Sequence, residues 1–446
     1  MNPVKEMIRR PATCLLVAAL GLAAPAVAQT PLSLTEAIAR GRVQNPDAGS
    51  TAAAEREAAQ RVTQARAGYW PKVDVAESWQ RGNQPVFVFS SLLAQRQFTA
   101  ADFALGALNH PDALDNFRSA VMVEQSLFDG ATRANVTAAG IGYDMATTSR
   151  TMVDRDLAAS VTNGYGRVLV AAAASQSAAA AGDTARADRE LAGNRRDAGL
   201  VTDADVLQLD VYVSRTREQQ IRATSDERIA RAQLNQLMGE GLGAAFALER
   251  SPTASVIGAT DLASLEAEAL KNRPDVKLAA LQEQLARTSQ TAARAAFLPQ
   301  VAAQGGWEFN GGAWNARTSS WVVGAVARIN VFHGFRDTAR LVEAREQTTR
   351  RGLEREKAET AARLDVYIAV ARLDAARASD AVGRAAVEQA RESRRIVRDR
   401  YEAGLTDVAS LLRAAEAVVQ AETQQTAAQV AVLTETAALE RTLGRQ

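Results

Sequence analysis

The chain writes the same turn twice. Arg195, Gly199-Leu200 and Thr202-Asp203 answer Arg400, Gly404-Leu405 and Thr406-Asp407, with Gly-Leu offset by 205 positions. Other landmarks recur in the same order. Asn45-Pro46-Asp47 matches Arg273-Pro274-Asp275, and Tyr69-Trp70-Pro71 matches Phe297-Leu298-Pro299, both at an offset of 228. Leu127-Phe128-Asp129-Gly130 matches Val331-Phe332-His333-Gly334 at 204, and Leu237-Met238-Gly239 matches Thr442-Leu443-Gly444 at 205. An ordered set of this kind marks an internal duplication, so one structural plan must be built twice. The fall in offset places about 24 extra residues in the first copy, between Pro71 and Leu127.

Each copy changes its hydrophobic period at the same places. Helix-forming stretches rich in Ala, Glu, Gln and Arg (Ala52 to Ala67, Leu278 to Ala296) run up to Pro71 and Pro299, and proline cannot continue them. Alternation follows. Val301, Ala303, Gly305, Trp307 and Phe309 share one face of a predicted strand. Trp321, Val323, Ala325, Ala327, Ile329 and Val331 share one face of another, with Ser320, Gly324, Arg328 and Asn330 opposite. In the first copy Val73 and Val75, then Val121, Val123, Gln125 and Leu127, repeat the pattern more weakly.

Beyond Gly130 and Gly334 the period becomes helical. Leu364, Ile368, Ala371, Ala375, Ala378, Val382 and Ala385 step alternately by four and three, a seam of coiled-coil spacing made largely of alanine. Gly130 to Gly199 spans 69 residues and Gly334 to Gly404 spans 70. A continuous helix of that length reaches about 100 Å. Gly199 and Gly404 suit the left-handed residue that ends a helix. Thr202 or Asp203, and Thr406 or Asp407, suit the cap of the next one. Each Gly-Leu is therefore the expected tip of a long antiparallel hairpin.

Composition narrows the classes. Lys plus Arg total 52 against 51 Asp plus Glu, so no charge excess points to nucleic acid. Aromatic residues make up only 5%, which favours closely packed helices over a bulky core. Lys5, Arg9 and Arg10, the apolar run from Cys14 to Ala24, and Ala26-Val27-Ala28 read as a secretory signal over residues 1–28. Cys14 is the only cysteine and opens the apolar run, so neither a lipid anchor nor a disulfide is expected in the mature chain. The duplication then divides the rest into a first repeat, 29–250, and a second, 251–446.

With these features in place, the chain resembles the TolC family of outer-membrane efflux proteins from about Leu32 to Leu443. The resemblance rests on the twin Asn/Arg-Pro-Asp helices, the proline before each strand pair, Phe-(Asp/His)-Gly after it, and the Arg-x-x-x-Gly-Leu tips. It implies a mainly helical fold with a membrane β-barrel contribution: duplicated helical hairpins forming an α-barrel, and four strands per chain. Four strands cannot close a membrane barrel, so the implied assembly is a homotrimer with a twelve-stranded barrel. The implied role is a passive exit duct across the outer membrane, contacting outer-membrane lipid. A periplasmic membrane-fusion adaptor would link it to an inner-membrane transporter in a tripartite efflux or type I secretion system. No enzyme activity, cofactor or metal is implied.

Carried onto this sequence, the adaptor-docking residues at the tips are Arg195, Gly199, Leu200, Arg400, Gly404 and Leu405. The alternative is that the glycines only end the helices and the leucines only pack the turns. The entrance candidates are Asp203, Asp205, Asp407, Ser410 and Arg413. Ser410 and Arg413 stand where some family members carry a ring of aspartates, so closure by packing and salt bridges competes with an acidic gate. Arg394, Arg395, Arg398 and Arg400 form either a docking patch or a solvated helix face.

The extra segment, Pro85 to Asp112, falls between the strands of the first pair, at the expected extracellular mouth. It is unusually apolar for a loop. It folds inward to restrict the opening, or it is a lengthened hairpin with its own packed cluster. Trp79, Trp307, Trp314 and Trp321 lie in or beside strands, as an interfacial girdle or as ordinary strand packing.

Two rival classes fit the residues less well. For an enzyme there are only His110 and His333, no paired-His zinc motif, no nucleophile elbow and no phosphate loop; Gly239-Glu240-Gly241-Leu242-Gly243 reads as a linker. A periplasmic coiled-coil adaptor or scaffold without a pore would carry one hairpin flanked by compact β domains, whereas this chain shows two hairpins and strands inside each repeat.

Overall fold

The computed structural model describes residues 31–249 and 261–445. The expected signal segment and the expected boundary at 250–251 lie outside the described residues. The first half runs α1 (Leu34–Gln44), α2 (Pro46–Arg66), β1 (Lys72–Gly82), α3 (Pro85–Ala94), α4 (Leu105–Asn109), β2 (Leu114–Phe128), α5 (Gly130–Asp197) and α6 (Asp203–Met238). The second runs α7 (Leu262–Asn272), α8 (Pro274–Ala295), β3 (Gln300–Ala313), β4 (Ala316–Arg328), α9 (Arg336–Glu402) and α10 (Val408–Thr442).

Local chemistry sets the boundaries. Asn45 accepts from the Asp47 amide at 2.8 Å while Pro46 occupies the first turn of α2, where no amide donor is needed. Asp129 caps α5, accepting from Ala131 and Thr132 amides at 3.0 and 3.2 Å. The matching entry to α9 has no side-chain cap, and Phe335 there adopts a left-handed φ of 63°. Gly239 ends α6 with φ 75°, and a Cβ on it would stand 2.5 Å from the Gln44 carbonyl oxygen, so glycine is required by both turn and contact.

The two long helices are unbroken. α5 has 68 residues and α9 has 67, each about 100 Å long. Above the helix waist the packing order is α2, α5, α8, α9; below it the order is α6, α5, α10, α9. Two matched cores fix that waist. Tyr165, Val161 and Leu157 of α5 pack with Leu234 and Met238 of α6 beneath α1. Val366 and Leu373 of α9 pack with Leu439 and Leu443 beneath α7.

The α9 seam differs from the sequence expectation in register. Leu364 is 57% exposed and Val382 69%. The stripe buried within the chain is Ala362, Val366, Ala369, Leu373, Ala376, Asp380 and Val387. Both stripes have the same spacing, and the helix is apolar enough to carry two. A second apolar row stays open on α6, at Leu207, Val211 and Ile221.

The strands form one antiparallel sheet in the order β1-β2-β3-β4. β4 ends at Arg328, paired with Gln300, so Ile329 and Val331 fall outside it. Pro299 precedes Gln300 and has no amide to extend the ladder. Among the described residues no helix is long and apolar enough to cross a membrane.

Candidate functional site

The sheet has two chemically different faces, fixed by its register. Val75, Val121, Trp307 and Trp321 lie side by side on one face, with Val73, Val123 and Val323 in an adjoining row. Apart from the half-buried Val121, these side chains are exposed within one chain: Val75 is 75% accessible and Trp321 73%. The other face carries Lys72, Glu124 and Gln304 in one row and Ser78, Arg118, Asn310 and Thr318 in another. Arg118 ion-pairs with Glu308 there. One apolar and one polar face suit a wall between lipid and water. The apolar face is broken near its far end by Glu77, Ser119 and Arg317, which hydrogen-bond among themselves.

The hairpin tips lie at the opposite end of the helices. Gly199 and Gly404 adopt φ 74° and 75°, the left-handed geometry a Cβ penalises. The following amides close the same turn: Leu200 donates to the Arg195 carbonyl at 2.8 Å, and Leu405 to the Arg400 carbonyl at 2.8 Å. Both leucines are exposed, at 66% and 68%.

The caps resolve differently in the two copies. Thr202 caps α6. Its amide donates to the Asp205 carboxylate at 2.9 Å, and the Asp205 amide donates to the Thr202 hydroxyl at 3.3 Å. Asp407 caps α10, accepting from the Ser410 amide at 2.9 Å. The Ser410 side chain and amide hold the Asp407 carboxyl below the usual carboxylate range. Arg413 donates to the Ser410 hydroxyl at 3.1 Å. Asp203 is exposed and sits 3.8 Å from Arg196. Asp205, Asp407 and Ser410 are thus engaged in capping the first turns of α6 and α10.

Arg195 and Arg400 part company. The Arg195 guanidinium donates to the Tyr401 and Glu402 carbonyls at 2.5 and 2.7 Å and lies 5.0 Å over the Tyr401 ring. A cation is favoured there, at the C-terminus of α9. Arg400 is exposed. The other arginines near the second tip are mostly occupied: Arg395 pairs with Glu392 and Asp399 at 2.7 and 3.0 Å, and Arg398 with Glu402 at 3.1 Å. Arg395 and Arg398 are thus laced into ion pairs along their own helix, whereas the Arg394 Nε is buried.

Tyr401 and Asp188 were not singled out from the sequence. Tyr401 is 2% exposed and packs with Ala192, Val206, Leu209, Val408 and Leu411, which draws all four tip helices together. Val387, Ala390, Arg394, Val397 and Tyr401 continue the buried stripe of α9 at steps of three and four, the signal that marks it. Asp188 is 1% exposed, and its Oδ2 has no hydrogen-bond partner. Burial pushes its carboxyl up, against the pull of Arg394 and Arg398 and with Glu402 adding to the shift. His333 rests its Nδ1 3.1 Å from the Asp337 carboxylate at the entry to α9. No cluster suited to a metal occurs among the described residues.

This geometry has counterparts in known proteins. The chain is 29% identical over 391 residues to Protein CyaE of Bordetella pertussis, covering 86% of this chain and 78% of that protein. Its fold superposes on VceC of Vibrio cholerae with a TM-score of 0.78 at 18% identity, covering 92% of this chain and 96% of VceC. It superposes on the Neisseria gonorrhoeae MtrE outer membrane channel with a TM-score of 0.76 at 18% identity, covering 92% and 89%. The family model described as outer membrane efflux protein matches residues 37–240 and 265–445, so the chain belongs to the outer membrane efflux protein family.

Proposed function

We propose that this outer-membrane efflux channel works as a homotrimer. The observation that carries the reading is that the sheet and the lower helix layer each end in two unsatisfied edges. β1 and β4 are the free edges of the sheet. α6 and α9 flank the lower helix layer, and each carries an exposed apolar row, Leu207, Val211 and Ile221 on one and Leu364 and Val382 on the other. Strand edges in lipid leave backbone groups unpaired, so the sheet must close on copies of itself. Three chains of four strands make a barrel of about twelve, well above the minimum of about eight. The same rotation sets α6 of one copy against α9 of the next.

The helical tips are the docking point for a periplasmic adaptor that connects to an inner-membrane transporter. Leu200 and Leu405 supply exposed apolar contacts, Arg400 the open charge, and Gly199 and Gly404 the turn. Arg195 serves this surface indirectly, by fixing the second tip. The chain is read as two repeats, 29–250 and 251–446, behind a cleaved signal. The fold is that of channels rather than enzymes, and cargo passes without chemistry. The family description favours efflux, and the cargo is set by the transporter.

The test is the native and heat-modified oligomeric state of protein extracted from outer membranes, with bilayer conductance on the same sample. A conducting trimer is expected. A monomer without conductance, found in the periplasm, would overturn the reading in favour of a coiled-coil scaffold.

A further inference from the structure

The segment between β1 and β2 has a definite fold and a definite side. α3 is followed by a short turn at Ala100–Phe103 and by α4. Phe98 stacks edge-on against Phe89 at 4.9 Å and Phe103 at 5.1 Å, giving the segment its own small core. Four tethers then seat it on the sheet. Gln95, 2% exposed, donates to the Asp115 carbonyl at 2.8 Å and the Asn116 side chain at 3.1 Å. Asn116 passes the bond on to Asn310 at 3.0 Å. The Thr318 hydroxyl donates to the Ala94 carbonyl at 3.0 Å, and Arg96 to the Ser319 carbonyl at 3.0 Å.

Asn116, Asn310 and Thr318 all belong to the polar face, the one bearing Arg118 and Glu308. The segment therefore folds over the lumen wall, at the end of the sheet away from the helices. Strands about 4.8 Å apart and tilted about 40° make a twelve-stranded barrel about 24 Å across. A helix with its side chains is about 10 Å thick. Three such helices, one on each third of the wall, leave no open bore at that level. Val86 and Leu105, at the free side of the segment, remain 75% and 77% exposed in a single chain. Their apolar surface has a partner once three copies face one axis.

We infer that Pro85 to Asp112 is an inward-folded constriction of the extracellular mouth, sealed by apolar contact between three copies of the segment. It rests on the trimeric channel reading. The constriction limits which solutes reach the lumen from outside, and cargo leaving the cell displaces it.

The test places a cysteine beneath the segment. Ser78 lies on the polar face, exposed, one row below Asn116 and its partner Gln80. Intact cells carrying Ser78→Cys are treated with a small charged maleimide and with a maleimide bearing a large polyethylene glycol. The same is done in a variant whose residues 85–112 are replaced by a short Gly-Ser turn. The large reagent is expected to label the shortened protein at least about tenfold faster than the full one. Equal rates would overturn the constriction, as would failure of the small reagent to label the shortened protein at all, since Ser78 would then not face the lumen. If the shortened chain does not assemble, Gln95→Ala with Thr318→Ala loosens the tethers and is scored the same way. Gel mobility of the full protein is read separately: absence of a trimer there breaks the channel reading and the constriction falls with it.

Discussion

The two hairpin tips share their residues and their backbone geometry, yet their arginines end in different places. Gly199 and Gly404 differ by one degree in φ. Arg195 nevertheless closes the end of the neighbouring hairpin, while Arg400 stays in solvent. Duplication supplied two equivalent turns, and asymmetric packing gave them separate roles. The first tip holds the pair together and the second presents the open charge. Two tyrosines at unmatched positions of the two copies show a further contrast. Tyr165 of α5 donates its hydroxyl to the Leu32 carbonyl at 2.9 Å. Tyr401 of α9 is buried with its hydroxyl unpartnered.

The largest expected effect breaks this asymmetry at the arginines. Arg195→Ala removes charge-assisted bonds to two carbonyls and is expected to cost about 3 kcal/mol, whereas Arg400→Ala stays within about 0.5 kcal/mol. Denaturant midpoints of the two variants check this; equal losses would mean the tips are equivalent after all. Arg400→Ala should instead weaken adaptor binding.

Asp188 gives the next largest effect, with the opposite sign. Burial raises its carboxyl, so the folded state holds the proton more tightly than the unfolded chain does. The charged form therefore weakens the fold above the raised value, and the penalty disappears below the ordinary carboxylate range. Asp188→Asn is expected to stabilise by about 1–3 kcal/mol at neutral pH, since it removes a buried charge lacking a full set of partners. Melting curves across acidic to neutral pH should show the advantage shrinking as pH falls. An advantage independent of pH would remove protonation as its cause.

The smallest effect separates the tyrosines. Burial lifts the Tyr165 phenol to about 12, so it stays a donor across the physiological range. Tyr165→Phe removes the hydroxyl bonded to the Leu32 and Glu249 carbonyls and should cost about 1 kcal/mol, while Tyr401→Phe should be close to neutral. Parallel thermal unfolding of the two variants measures the difference.

Much of this was legible in the residues. Proline and glycine punctuate both copies at the same places because their backbone limits are local, and the helices and strands between them follow the period of apolar residues. The partners were less legible. On α9 the row from Leu364 and the row from Ala362 have the same spacing, and only the neighbouring helices decide which is buried in the chain. Arg195 and Arg400 carry the same motif, and only the offset between hairpins brings one of them over a helix end. The extra segment's apolar content promised a packed cluster but not a side of the sheet.

The sequence by itself therefore determined where the long helices and the strand pairs fall and that the plan is used twice, because these follow from short-range backbone chemistry and from the period of apolar residues. The tertiary structure alone decided which of two apolar faces is covered, which tip arginine is captured, and that residues 85–112 turn toward the polar face. Those outcomes depend on contacts between residues far apart in the chain, as between Gln95 and Asn116 or Ala94 and Thr318, whose geometry no local pattern encodes.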